Sequence, residues 1–201
     1  MPDYRITFTK LDSLKYISHL DLQRAMTRLL VRSKLPVVYS EGFNPHPRMS
    51  FAVPLSIFQE GENEILDVKL SEEVPLQSVL DSLNAQTFPG MKFTKAVKVE
   101  KKLPAKFAVY RLEYRTDMEK EEFIKAFSSE MTVLRKTKTK EMLMDIAPKI
   151  KFLSAVKNGN ILTARVELPA SNTDYLNPSY ITEFFGERVK ILRTVRESII
   201  F

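Results

Sequence analysis

The sequence predicts an α+β protein built from two ferredoxin-like (split βαβ) halves with antiparallel sheets, the second of them degenerate. Residues 1–100 show the element order strand, helix, strands, helix, strand, which is typical of that fold. A charged stretch with a proline at 100–104 then resembles a linker, and the element order partly repeats after it. We therefore predict a first domain over residues 1–100 and a second, basic α+β domain over residues 105–201.

The elements of the first half follow from the periodicity of the apolar residues. Alternation of apolar and polar residues predicts a half-buried strand over 4–9. Ser18 and Asp21 resemble a capping box and predict a helix from Ser18 to about Ser33, before Pro36. The remaining predicted elements are short strands at 36–39 and 49–53, a strand at 64–70, a helix that begins at Pro75 and a strand at 91–99.

The second half shows the same kinds of element with less regular spacing. Asn158-Gly159 between two apolar runs is a strong signal for a type I′ hairpin. The predicted elements are a strand at 107–114, a short helix at 118–127, a long basic strand pair at 131–144, strands at 150–156 and 161–168, a helix at 180–185 and a strand at 189–199.

The composition excludes several classes of protein. The chain has 201 residues, 44% of them hydrophobic and 28% charged, which is typical of a globular protein. It has no cysteine, so it cannot carry a disulfide scaffold, a cysteine nucleophile or a thiolate-bound cluster, and its two histidines argue against a protein-built zinc site. We expect no metal and no cofactor. Without an apolar run near 20 residues or a secretion signal, we predict a cytoplasmic protein that does not bind membranes.

The positive charge of the chain is concentrated in its second half. The net charge is +6, and residues 101–201, with 19 basic and 13 acidic side chains, account for all of it (19 − 13 = 6). A basic protein suits a polyanionic partner such as RNA. The alternative is that this charge serves solubility alone.

One segment, residues 36–54, has too many prolines for a plain turn between two strands. Its prolines stiffen a loop that displays a histidine and an arginine beside aromatic rings, as single-stranded RNA-binding surfaces do. The alternative is a structural loop in which Phe43 fills the core. The candidate binding residues of this segment are Tyr39, Phe43, Asn44, His46 and Arg48.

The start of the first helix is the other candidate. The positive end of the helix dipole keeps a histidine at its first position neutral, so His19 is a candidate general base near an RNA 2′-hydroxyl. The alternative is that His19 only orients the loop by a hydrogen bond. Asp21 fits a capping partner better than a catalyst, and Ser18 is the cap. We expect this helix start and the proline-stiffened loop to meet in a polar pocket.

Two further groups of basic residues are candidates for phosphate contacts. Arg24, Arg28 and Arg32 share one helix face, which is either a binding face or simply a solvated one. On a strand, Lys136, Lys138 and Lys140 point the same way. That row either follows a phosphate backbone or protects an exposed sheet edge from aggregation.

The segments KYISHLD at 15–21 and YSEGFNPHP at 39–47 closely resemble a bacterial domain of unknown function that is called radical-SAM-associated. That domain is often fused to, or encoded beside, a radical SAM protein, so the resemblance implies such a protein as partner. Because this chain has no cysteine, it cannot bind a radical SAM cluster itself. The helix start also resembles, more distantly, the repeat-associated (RAMP-type) ferredoxin-like RNA-binding superfamily, which includes CRISPR RNA-processing endoribonucleases.

Three functions are compatible with these observations. The preferred one is a non-catalytic RNA-binding or substrate-presenting accessory of a radical SAM enzyme in tRNA or rRNA modification. The first alternative is a metal-independent endoribonuclease that uses His19 as its base. The second is a protein-interaction module that binds no RNA.

Overall fold

A computed structural model describes residues 1–136 and 141–201 and confirms the α+β class with antiparallel sheets. The chain divides into two compact units, one of residues 1–105 with Phe201 and the other of residues 106–200. No helix among the described residues is long and apolar enough to cross a membrane.

The first unit has the complete split βαβ topology. In chain order its elements are β1 (Asp3–Lys10), α1 (His19–Arg32), β2 (Met49–Phe51), β3 (Glu60–Lys69), α2 (Leu76–Asn84) and β4 (Phe93–Val99). The strands are arranged in the order β4-β1-β3-β2, and each neighbouring pair is antiparallel.

The core of this unit lies between one face of the sheet and the two helices. Alternate residues of β1 point into it, and Tyr4 and Phe8 are completely buried there. The α1 helix contributes a stripe that includes Leu22, Met26 and Leu29, so its opposite face is left exposed. The polar face of α1 is therefore the one available for binding.

The elements of the second unit are β5 (Phe107–Arg115), α3 (Lys120–Ala126), β6 (Thr132–Lys136), β7 (Glu141–Asp145), β8 (Lys151–Asn158), β9 (Ile161–Pro169), α4 (Ser179–Phe185) and β10 (Lys190–Ile200). Its main sheet repeats the strand order of the first unit as β10-β5-β9-β8, again antiparallel. Its departure from the regular pattern is a separate two-stranded antiparallel sheet of β6 and β7, which precede β8 in the chain.

Two differences from the sequence prediction are the largest in the first unit. Residues 36–39 do not form a strand, because they make only the isolated bridges Val37–Leu70 and Tyr39–Pro47. The β3 strand begins at Glu60 instead of residue 64, since a register irregularity in β1 between Phe8 and Lys10 lets the pairing continue to Gly61.

Candidate functional site

One wall of the candidate site is the exposed face of α1. Residues three and four positions apart lie on the same side of a helix, so Leu20, Arg24 and Arg28 form one exposed stripe beside Gln23 and Thr27. The helix starts as its capping signal predicts. The Ser18 Oγ accepts a hydrogen bond from the Asp21 N–H at 3.1 Å.

The other wall is a tight hairpin within the proline-rich segment. The Arg48 N–H donates to the Val38 carbonyl at 2.7 Å, and the Ser40 N–H donates to the His46 carbonyl at 2.8 Å. The Ser40 Oγ also accepts from the His46 N–H at 3.0 Å, which ties the loop at its neck. Because side chains alternate along extended chain, Ser40, His46 and Arg48 share one side of this hairpin.

These two walls enclose a groove of about 770 Å³, which we call the arginine groove. Three guanidinium groups and one imidazole line it, and no carboxylate is among the described residues that do so. The lining residues are Leu20, Gln23, Arg24, Thr27 and Arg28 of α1 with Ser40, His46, Pro47, Arg48 and Met49. The loop thus meets the exposed face of α1 from Leu20 onward, whereas Ser18 and His19 of the helix start are not among the lining residues, and the pocket is cationic.

The guanidinium groups of the groove are open to solvent. Arg24 is held at 3.2 Å from the Asp21 carboxylate, a largely exposed pair that contributes little to stability. Arg28 and Arg48 make no ion pair with any part of the chain that the structure describes. Two cations without an internal counterion, on facing walls, suit an anionic ligand.

The Ser18 hydroxyl also donates to the Asp21 carboxylate at 2.7 Å, and this hydrogen bond is the main reason that the pKa of Asp21 is lowered. Asp21 is therefore held ionised as a capping partner and as the neighbour of Arg24. This geometry matches the structural interpretation of Asp21.

His19 is not among the residues that line the arginine groove. Its half-buried ring packs edge-on against Phe51, with ring centroids 5.3 Å apart and an interplanar angle of 76°. Burial, and then the positive charge of the fully buried Lys10, lower the pKa of His19. The ring is therefore neutral near pH 7, and the main cause is desolvation. The cause expected from the sequence was the helix dipole.

Lowering the pH from 6.5 through the folded-state pKa of His19 is expected to destabilise the protein. Because its pKa in the folded state lies below the ordinary value of 6.5, the unfolded chain takes up the proton first. The stabilisation is fully present above pH 6.5 and is lost as the pH falls through the folded-state pKa. Urea unfolding at a series of pH values measures this, and His19→Gln should flatten the curve. An unchanged pH dependence in that variant would contradict the assignment.

The aromatic candidates of the loop lie outside the core. Phe43 is completely exposed at the loop tip, so the alternative that it fills the core is wrong. Asn44 is exposed beside it, and Tyr39 is 41% exposed. Tyr39 pairs with Pro47 through the backbone, which directs its side chain away from the face that carries Ser40.

The lysine row of the second half lies largely outside the described residues. Lys136 is the last residue of β6. Lys138 and Lys140 lie outside the described residues. Arg32, the third arginine of the predicted face, donates to the Gln86 carbonyl at 3.4 Å and does not line the groove.

Several residues that line the groove were not among the candidates predicted from the sequence. Gln23 and Thr27 lie on α1 one position before Arg24 and Arg28, so helical spacing alone would have included them. Ser40 carries no such signal, because its position depends on the pairing of residues 38–40 with 46–48.

Comparison with known proteins identifies a family whose model matches the chain and a solved structure with a similar fold. The model of the family described as "Uncharacterized protein conserved in bacteria (DUF2344)" matches residues 3–178. No curated protein matches the chain. A chain in the solved structure "Crystal Structure of a Cbf5-Nop10-Gar1 Complex" is similar, with a TM-score of 0.53 and 11% sequence identity. That alignment covers 98% of this chain and 48% of the other, so this chain spans about half of its length. At 11% identity the likeness shows the fold alone.

Proposed function

The chain belongs to this uncharacterized family conserved in bacteria, and we propose that it is an RNA-binding or substrate-presenting accessory protein of a radical SAM enzyme in tRNA or rRNA modification. The observation that carries the RNA part of the proposal is the arginine groove. Its cations come from two separate elements that the fold brings together.

The groove suits a chain of phosphates better than a single small anion. Arg24 and Arg28 are one helical turn apart, about 6 Å along the axis, and Arg48 faces them from the hairpin. A ligand that carries phosphates at intervals can contact all three guanidinium groups, each of which can bind phosphate oxygens in a bidentate manner. The methylene and thioether groups of Leu20 and Met49 can pack against sugars.

The geometry favours binding over cleavage. The general base of the nuclease alternative is His19, and its ring packs on Phe51 instead of lining the groove. The hydroxyl and carboxylate next to it, Ser18 and Asp21, bind each other in the helix cap. The accessory function uses the groove without requiring a catalytic group there.

RNA binding is expected to weaken steeply with salt, and Arg28→Ala is expected to reduce the slope of log K against log salt concentration by about 1. Filter binding of total RNA at graded salt measures the slope. The matched control is Arg32→Ala, since Arg32 lies on the same helix but outside the groove. Equal slopes for the two variants would contradict the groove as the phosphate site. A complete absence of RNA binding would favour the protein-interaction module.

The radical SAM partner is proposed from the resemblance of segments 15–21 and 39–47. A chain without cysteine can present RNA, while the partner supplies the cluster chemistry. Co-purification of the tagged chain with a co-expressed radical SAM protein from the same bacterium tests this part. A tagged chain that binds RNA but never retains the enzyme would contradict the partnership alone.

A further inference from the structure

Two exposed aromatic side chains contact each other, one from the segment just before α1 and one from the turn just before β3. Tyr16 and Phe58 are 60% and 65% exposed, and their rings contact each other edge to face at 6.1 Å and 77°. The Lys15 Nζ lies 5.4 Å from the centroid of the Tyr16 ring, so a cation stands beside the pair. We call Tyr16 and Phe58 the aromatic pair.

The backbone holds Phe58 in a conformation that bulky residues rarely adopt. Its φ is +68°, in the left-handed region that disfavours side chains with a Cβ. The Phe58 N–H donates to the Lys15 carbonyl at 2.6 Å, which ties this turn to the segment that carries Tyr16. A strained residue whose large apolar ring is held out in solvent gains nothing for the core, and such strain is typical of functional positions.

The aromatic pair lies near the arginine groove, because Tyr16 is close in sequence to α1. Leu20 lines the groove and follows Tyr16 by four residues, which span at most about 14 Å even when fully extended. The other wall of the groove is the hairpin, whose tip carries the fully exposed Phe43. Each wall of the groove therefore belongs to a segment of the chain that also carries an exposed aromatic ring.

We propose, on the basis of the proposed RNA-binding function, that the ligand of the groove is single-stranded RNA whose bases stack on the aromatic pair and on Phe43. In a duplex the faces of the bases are already stacked on one another, so free aromatic rings have nothing to bind. In a single strand the phosphates can enter the arginine groove while the bases turn outward to the rings. The pair extends the binding path beyond the groove.

The test compares a fluorescein-labelled 12-nucleotide oligouridine with a hairpin duplex. Tyr16→Ala/Phe58→Ala is expected to bind the oligouridine about 10-fold to 100-fold more weakly, with an unchanged salt slope and unchanged duplex binding. Tyr16→Phe/Phe58→Tyr keeps both rings and is expected to bind as the wild type does. The matched control is Tyr175→Ala, which removes an exposed ring of the second unit.

Three results would overturn the inference alone. The first is that the wild-type protein binds oligouridine and duplex with equal affinity. The second is that the double alanine variant loses the same affinity for both ligands. The third is that the ring-conserving variant loses as much affinity for oligouridine as the alanine variant does. Circular dichroism shows whether each variant is folded. Absence of binding to either RNA would overturn the proposed function together with this inference.

Discussion

Arg28→Glu/Arg48→Glu is expected to weaken RNA binding by at least about 100-fold at about 0.1 M salt. Each arginine removed costs the ligand a hydrogen bond to a charged group, about 1.5–3 kcal/mol, and each new carboxylate repels phosphate. Both side chains are exposed and make no ion pair among the described residues, so the fold should tolerate the change. Filter binding measures the affinity, and thermal unfolding checks the fold.

The control for this variant carries the same change in net charge. Arg115→Glu/Lys125→Glu reverses two exposed cations of the second unit, and its loss of affinity should be much smaller. Equal losses in the two double variants would mean that RNA responds to the total charge of the protein. In that case the arginine groove would not be the binding site.

Gly90→Ala is expected to lower the free energy of unfolding by about 3 kcal/mol or more. Gly90 has φ +86°, and a Cβ added there would lie 2.5 Å from the backbone oxygen of Leu11 and 3.2 Å from Leu14 Cγ. The Leu11 N–H donates to the Gly90 carbonyl at 3.0 Å, so the two segments cannot separate without losing that bond. Urea unfolding measures the change.

The matched control for the glycine is Gly159→Ala. Gly159 has φ +57°, but among the described residues, its two chain neighbours apart, no atom lies within 4 Å of the position its Cβ would take. That variant bears only the cost of the backbone conformation, about 1 kcal/mol. If both variants lost the same free energy, the clash with Leu11 would not be the cause.

The order of elements could be predicted because it depends on local rules. The β1 strand alternates as half-buried strands do, and α1 begins after the predicted Ser18 cap. The start of β3 was predicted four residues late. Its first residues pair beyond an irregularity in β1, and a pairing partner distant in sequence leaves no local signal.

The arginine groove was predicted in part. Arg24, Arg28, His46 and Arg48 were all candidates, since helical spacing and a proline-stiffened loop are visible in the sequence. The outlying position of His19 was not predictable. His19 is in line with Gln23 and Thr27 on the helix, but its ring packs against Phe51 and does not line the groove.

The sequence by itself determined the α+β class, the helix stripe that carries the arginines and the stiff loop that carries His46 and Arg48, because each depends on spacing along a few neighbouring residues. Only the tertiary structure decided that the stripe and the loop face each other, that Phe43 points into solvent and that a strained Phe58 contacts Tyr16. These features depend on contacts between residues far apart in the chain. Such contacts form because folding buries the apolar core, and they leave no pattern among neighbouring residues.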